Sequence, residues 1–119
     1  MLTTDAVTSS SLKRAIEDRD GRTLSSFYAD DALLRIIDSD NTPSAPRELR
    51  GIEAITAFWD DVCGREMTHQ VDMSISEGNR MAFTENCAYP DGTTVFCMST
   101  IELENGKIAR QTVVQAWDD

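Results

Sequence analysis

Residues 81–117, MAFTENCAYPDGTTVFCMSTIELENGKIARQTVVQAW, read as three consecutive strands. The runs Met81–Tyr89, Thr94–Glu104 and Lys107–Trp117 are separated by Pro90-Asp91-Gly92 and Asn105-Gly106, both with hairpin chemistry. Alternation places Met81, Phe83, Glu85, Cys87 and Tyr89 on one face of the first strand, and Val95, Cys97, Ser99, Ile101 and Leu103 on one face of the second. A loop of Asp91, Gly92 and Thr93 sets Glu85 opposite Ser99, Cys87 opposite Cys97 and Phe83 opposite Ile101, so that the apolar faces coincide. That shared face carries a carboxylate, two thiols and a hydroxyl among hydrophobic side chains, the composition of a pocketed sheet.

Working outward, the 119 residues suffice for one domain, 1–119, with a single core. The net charge of −10 argues against nucleic acid and anionic membrane as partners. No apolar run reaches membrane-spanning length, and the N-terminus lacks the basic and apolar regions of a signal peptide, so a cytoplasmic protein is expected. Three cysteines are too few and too irregular for a disulfide framework or a zinc site, and no metal or cofactor is expected. Cys87 and Cys97, as cross-strand neighbours, could still oxidise in air.

The pattern predicts a helix from Thr4 to Asp20 stopped by Gly21, and a short helix from Thr23 to Tyr28 broken by Ala29-Asp30-Asp31. A strand from Ala32 to Asp38 follows, with Leu34, Ile36 and Asp38 on one side. Ser39–Arg50, with Pro43 and Pro46, reads as a loop. A third helix spans Ile52 to Cys63, with Ile55, Phe58, Trp59 and Val62 as its buried stripe. A strand from Met67 to Ser76 puts His69, Val71, Met73 and Ile75 on one face. Helices segregated from a mainly antiparallel sheet mean an α+β fold. A curved sheet wrapped around three N-terminal helices encloses a cone, whose open mouth makes a small-molecule pocket.

Several stretches carry a family resemblance: Phe27-Tyr28-Ala29-Asp30-Asp31-Ala32, then Arg50-Gly51-Ile52-Glu53-Ala54-Ile55-Thr56-Ala57-Phe58-Trp59, then Glu104-Asn105-Gly106-Lys107-Ile108, and finally Trp117-Asp118. In order and spacing they resemble the SnoaL-like, nuclear-transport-factor-2-like superfamily, with its ketosteroid isomerases, scytalone dehydratases, limonene epoxide hydrolases and polyketide cyclases. The resemblance covers nearly the whole chain and implies a cystatin-like cone. It does not bring a known catalytic set. The isomerase tyrosine falls near Leu12, its aspartate base on Ile36 (Asp38 lies two residues on, facing the same way), and its protonated aspartate on Ser99. Where epoxide hydrolases and cyclases place an acid on the last strand, this chain has Gln111, Val113 and Gln115.

The inward face of the last strand has two readings. A two-residue turn at Asn105-Gly106 pairs Ser99 with Thr112, turning Thr112, Val114 and Ala116 inward. A three-residue loop with a bulge at Gly106 pairs Ser99 with Gln111. The resemblance favours the second, making Gln111, Gln115 and Trp117 pocket residues.

Three side chains are candidate proton handlers. Glu85 lies on an apolar face with few charges nearby, so burial is expected to favour its protonated form. Its bland alternative is a solvated rim or an arginine partner. Asp38 is a base if its strand runs into the mouth, or else the acid of an Asp-Ser-Asp-Asn turn. His69, the one histidine, shuttles protons if inside, or else is a half-exposed strand end. Tyr28, Phe58, Trp59, Phe83, Cys97 and Ser99 complete the expected ligand-binding set, although aromatics on a helix stripe commonly serve plain core. Two functions follow: a cofactor-independent isomerase, cyclase or dehydratase using acid–base catalysis on an apolar oxygenated substrate, or a non-catalytic ligand-binding or dimerisation module. Two convergent titratable groups in the cone would favour the first. Thr84, Asn86, Phe96, Met98 and Thr100 project from the sheet's other face, where Phe96 and Met98 suggest a homodimer surface.

Overall fold

The computed structural model describes residues 7–119. Its element order is α1 (Ser9–Glu17), α2 (Gly21–Ser26), β1 (Tyr28–Ile37), β2 (Arg47–Arg50), α3 (Ile52–Cys63), β3 (Thr68–Glu77), β4 (Arg80–Ala88), β5 (Thr94–Glu104) and β6 (Lys107–Asp118). The strands form one curved, unclosed sheet in the order β2-β1-β6-β5-β4-β3. Only the β1–β6 pair is parallel. The three helices and this sheet make the expected α+β cone. Among the described residues, no helix is long and apolar enough to cross a membrane.

Helix α1 begins later than the sequence suggests, because Thr8 caps it. The Thr8 hydroxyl accepts from Ser11 N at 3.0 Å, and Thr8 N donates to the Ser11 hydroxyl at 3.0 Å. The expected start at Thr4 lies outside the described residues. The helix also stops earlier than expected. Arg19 takes a left-handed conformation (φ 53°) just past the helix end, while Gly21, expected to stop α1, opens α2 with Asp20 as its cap. Strand β1 starts at Tyr28 rather than Ala32 and runs through Asp30-Asp31, since Tyr28 already pairs with Ile108 of β6. Part of the expected loop is the edge strand β2, antiparallel to β1. Helix α3 lies where the apolar stripe puts it, entered through Gly51 at φ 88°. Its Ile55, together with Leu24 and Ile108, is fully buried in the core between helices and sheet.

The β4–β5 hairpin keeps the predicted faces but not the predicted partners. Glu85 lies opposite Cys97, Phe83 opposite Ser99, Met81 opposite Ile101 and Cys87 opposite Val95. The offset is two residues, because Tyr89 N bonds Thr93 O and the loop closes around Pro90-Asp91-Gly92. Cys87 and Cys97 are therefore diagonal neighbours, and all three cysteines are free thiols.

Two bulges change which side chains face inward. In β3, Val71 pairs with Glu85 but Met73 pairs with Thr84, leaving Asp72 as the extra residue. His69 and Val71 stay inside. Met73 and Ile75, expected inside, turn outward and are each 63 % exposed. An ion pair on α1 clamps this bulge. Glu17 Oε2 accepts from Val71 N at 2.9 Å, Lys13 Nζ donates to Val71 O at 3.0 Å, and the two side chains meet at 2.7 Å. In β6 the Asn105-Gly106 turn has two residues, with Glu104 opposite Lys107, and the bulge falls after Ile108. Ser99 consequently pairs with Val113, a register that neither reading anticipated, and Gln111, Val113, Gln115 and Trp117 share the concave face.

Candidate functional site

The cone encloses a cavity of about 180 Å³, below the ~300–1,000 Å³ typical of ligand sites and suited to a small molecule. Leu34, Ile36, Phe58, Trp59, Phe83 and Val113 supply apolar walls. Of the residues singled out from the sequence, Glu85, Asp38, His69, Phe58, Trp59, Phe83, Cys97, Ser99, Gln111, Gln115 and Trp117 all line it. Tyr28 does not. It begins β1 instead of ending a helix, and its buried ring lies behind Trp59 and Gln111.

Strands β3 and β4 bring His69 and Glu85 together. His69 Nδ1 is 2.8 Å from Glu85 Oε2, and the side chains are only 4 % and 10 % exposed. Water therefore screens their attraction poorly. The Cys87 thiol lies 3.2 Å from the same ring nitrogen and donates to Glu85 Oε2 at 3.1 Å. Burial alone would lower the His69 pKa. Hydrogen bonding to Cys87 and Glu85, with the Glu85 charge, outweighs it and lifts the imidazole to about 9. His69 is thus an imidazolium at neutral pH, with Nδ1–H donating to Glu85. The partnerless carboxyl expected from the neighbours of Glu85 along its own strand is corrected: its partner comes from β3. The Cys87 thiol is pushed up by its hydrogen bond to Cys97 and by burial, so it stays protonated.

The oxygen, nitrogen and sulfur of this triad lie within 4.8 Å of one another, a donor set of the kind zinc takes. Their separations of 2.8–3.2 Å are hydrogen-bond lengths, whereas a tetrahedral zinc holds such atoms about 3.3–3.7 Å apart. The three side chains are held together as a hydrogen-bonded triad.

A second polar chain crosses the cavity floor, and its direction follows from donor chemistry. Trp59 Nε1–H, which can only donate, bonds the Tyr28 hydroxyl at 3.2 Å. The Tyr28 O–H donates to Gln111 Oε1, and Gln111 Nε2 donates to Ser99 Oγ at 3.3 Å. Burial raises the Tyr28 phenol, keeping its proton in place. Every hydroxyl in the chain is committed as an acceptor, so the Ser99 O–H remains free to donate to a ligand.

Asp38 is at the rim. Its Oδ1 accepts from Asp40 N, Asn41 N and Asn41 Nδ2 at 2.8–3.0 Å. Burial pushes its pKa up, but these bonds and the charge of Arg47 hold it below the usual carboxylate range. It is a turn acid in a cavity wall, a combination of both sequence readings. Arg47 and Arg65 also line the cavity, and sequence reasoning passed over both. Arg47 fell in a stretch read as loop, and Arg47-Glu48-Leu49-Arg50, with a single apolar residue, carries no alternation to mark the short strand.

The SnoaL-like domain model matches residues 11–111. This chain belongs to the SnoaL-like family. Solved structures extend the likeness to the whole cystatin-like cone. An NTF2-like protein of unknown function from Burkholderia xenovorans LB400 is 20 % identical, with a TM-score of 0.76 over 90 % of this chain and 78 % of that one. A Kribbella flavida protein provisionally named a ketosteroid isomerase is 15 % identical (TM-score 0.70; 92 % and 74 % covered). A Sinorhizobium meliloti protein provisionally named a polyketide cyclase is 20 % identical (TM-score 0.63; 86 % and 88 % covered). At these identities the SnoaL-like fold is what is shared. No curated protein matches the chain by sequence.

Proposed function

We propose that this SnoaL-like protein is a cofactor-independent acid–base enzyme that isomerises, cyclises or dehydrates a small apolar oxygenated molecule. The observation that carries the reading is the buried His69–Glu85 pair on the cavity wall. It supplies the two convergent titratable groups that a binding module does not need. Bonded through Nδ1, the imidazolium has Nε2–H to offer a substrate oxygen. As the N–H bond breaks, an O–H bond forms, and Glu85 holds the ring in place. The neutral imidazole then takes a proton from the neighbouring carbon or hydroxyl, restoring itself. The Ser99 hydroxyl donates to the same or a second oxygen.

Deuterium uptake next to the carbonyl of 2-tetralone and 2-decalone, followed by NMR in heavy water at neutral pH, tests this. Wild type should exceed the buffer rate by at least about a hundredfold, and His69→Gln and Glu85→Gln should each lose that gain. Binding of the ketones without accelerated exchange would refute the enzyme and leave the binding module.

A homodimer belongs to the same proposal. Met73, Thr84, Met98 and Val114 form one row across β3, β4, β5 and β6 on the convex face, flanked by Phe96. Met73, Met98 and Val114 are 63 %, 55 % and 47 % exposed, and together with Phe96 they put large apolar side chains on one face, as a surface that meets its own copy across a two-fold axis does.

A further inference from the structure

The cavity is electrically unlike the chain around it. The chain carries −10, yet the cavity lining holds three cations, Arg47, Arg65 and the His69 imidazolium, against two carboxylates, Asp38 and Glu85. Most of these charges have partners. Glu85 is held by His69, and Asp38 by its turn. Arg65 bonds Asp61 at 2.5 Å and the Tyr89 hydroxyl at 3.0 Å.

Arg47 differs. Among the described residues, no carboxylate oxygen lies within ion-pairing distance of its guanidinium, and the nearby Asp38, which feels its charge, has its Oδ1 taken up by its own turn. Its sequence neighbour Glu48 is taken by Arg50 at 3.1 Å and Arg35 at 3.8 Å. Arg47 lies opposite Ile36, whose side chain lines the cavity. Its guanidinium carbon stands 5.7 Å from the centre of the Phe58 ring. That contact holds a planar cation in place while leaving its N–H edge open, which suits two-pronged capture of a carboxylate.

We infer that the molecule bound in this cavity carries a carboxylate, gripped by Arg47 at the mouth, while its reacting end meets His69 and Glu85. This rests on the acid–base reading and adds the substrate class. Arg47 on β2 and Glu85 on β4 are four strand spacings apart, about 19 Å across the strands of a flat sheet, with Glu85 two residues along β4 from the row that Arg47 joins. The sheet's curvature and the inward reach of both side chains shorten that. The ligand is thus a small apolar acid whose oxygenated reacting group is separate from its carboxylate. Arg47 is a binding residue and takes no part in the proton transfer.

The probes are 2-naphthoate and 2-naphthamide, matched in shape and differing in charge. Their binding is followed by calorimetry and by the fluorescence of Trp59 and Trp117, which both line the cavity. Wild type should bind the acid about tenfold more tightly than the amide, and the preference should weaken with added salt. Arg47→Gln should abolish the preference with amide affinity unchanged, and Arg47→Lys should keep only part of it. Ketone exchange by wild type is measured alongside, so that absent exchange with an intact acid preference overturns the acid–base reading alone. Equal binding of acid and amide by wild type overturns the carboxylate inference. So does a preference that survives Arg47→Gln, or no binding of the acid at millimolar concentration.

Discussion

Replacing Glu85 by Gln keeps the side-chain shape and removes one charge, so it isolates the buried pair. The His69 imidazole rises from 6.5 to about 9 on folding, which corresponds to at most about 3.4 kcal/mol at ~1.36 kcal/mol per pH unit. Burial opposes the charge and Cys87 shares the contact, so about 2 kcal/mol is the expected share of Glu85. The sign follows from the direction of the shift. A raised histidine stabilises fully below its unfolded value and loses that contribution as pH climbs to its folded one. Wild-type stability should therefore fall between about pH 6.5 and pH 9. Glu85→Gln should be nearly flat there and less stable by about 2 kcal/mol at the acidic end, roughly 6–12 °C in Tm for a chain of this size. The two curves should converge near the basic end. The assay is urea and thermal unfolding of both proteins across that window at one protein concentration. A variant as stable as wild type at pH 6.5, or a gap that persists at high pH, would refute the pairing. The residues flanking Glu85 along β4 argue for the opposite sign, a variant equal to or more stable than wild type, because none of them carries a balancing charge.

Tyr28→Phe should cost about 2–4 kcal/mol in urea unfolding, since it strands Trp59 Nε1–H and Gln111 Oε1 in the core. A loss within experimental error would mean that the floor network is not formed. Met98→Glu places a charge in the middle of the convex apolar row. Wild type should sediment as a dimer at micromolar concentration and the variant as a monomer, and a wild type that is already monomeric would sink the dimer.

What the sequence reveals and what it hides divide along a physical line. Alternation assigns a residue to a face through a period of two, so it survives any register error of two residues. Glu85, Cys97 and Ser99 accordingly face inward, although their cross-strand partners differ from expectation. Helix α3 was legible because its apolar stripe, Gly51 and Gly64 agree on its bounds. The His69–Glu85 pair was not. It joins two strands whose relative position depends on a bulge at Asp72 as well as on the Gly78-Asn79 turn, and the bulge has no strong local signature. The floor network was hidden for another reason: its first member, Tyr28, sits at a helix–strand boundary, where local propensity is least decisive.

Each bulge shifts parity by one, and the site depends on both. Without the extra residue after Ile108, the two-residue Asn105-Gly106 turn would bring Thr112 and Val114 inward, as the simpler reading of that hairpin has it. Gln111 would then face away from Ser99, the chain of donors from Trp59 would end at Tyr28, and Gln115 would leave the wall. Val114 would also leave the convex row that Met73 and Met98 share. Without the extra residue at Asp72, the pairing set by the turn after Glu77 would continue along β3, turning Val71 and His69 to the convex face with Met73 and Ile75 and taking the partner of Glu85 out of the cavity. Bulge placement therefore decides at once which polar groups reach the cavity and which apolar groups remain for a partner. The Lys13–Glu17 pair fixes the backbone of Val71, next to the Asp72 bulge, and so supports both faces from the far side of the cone.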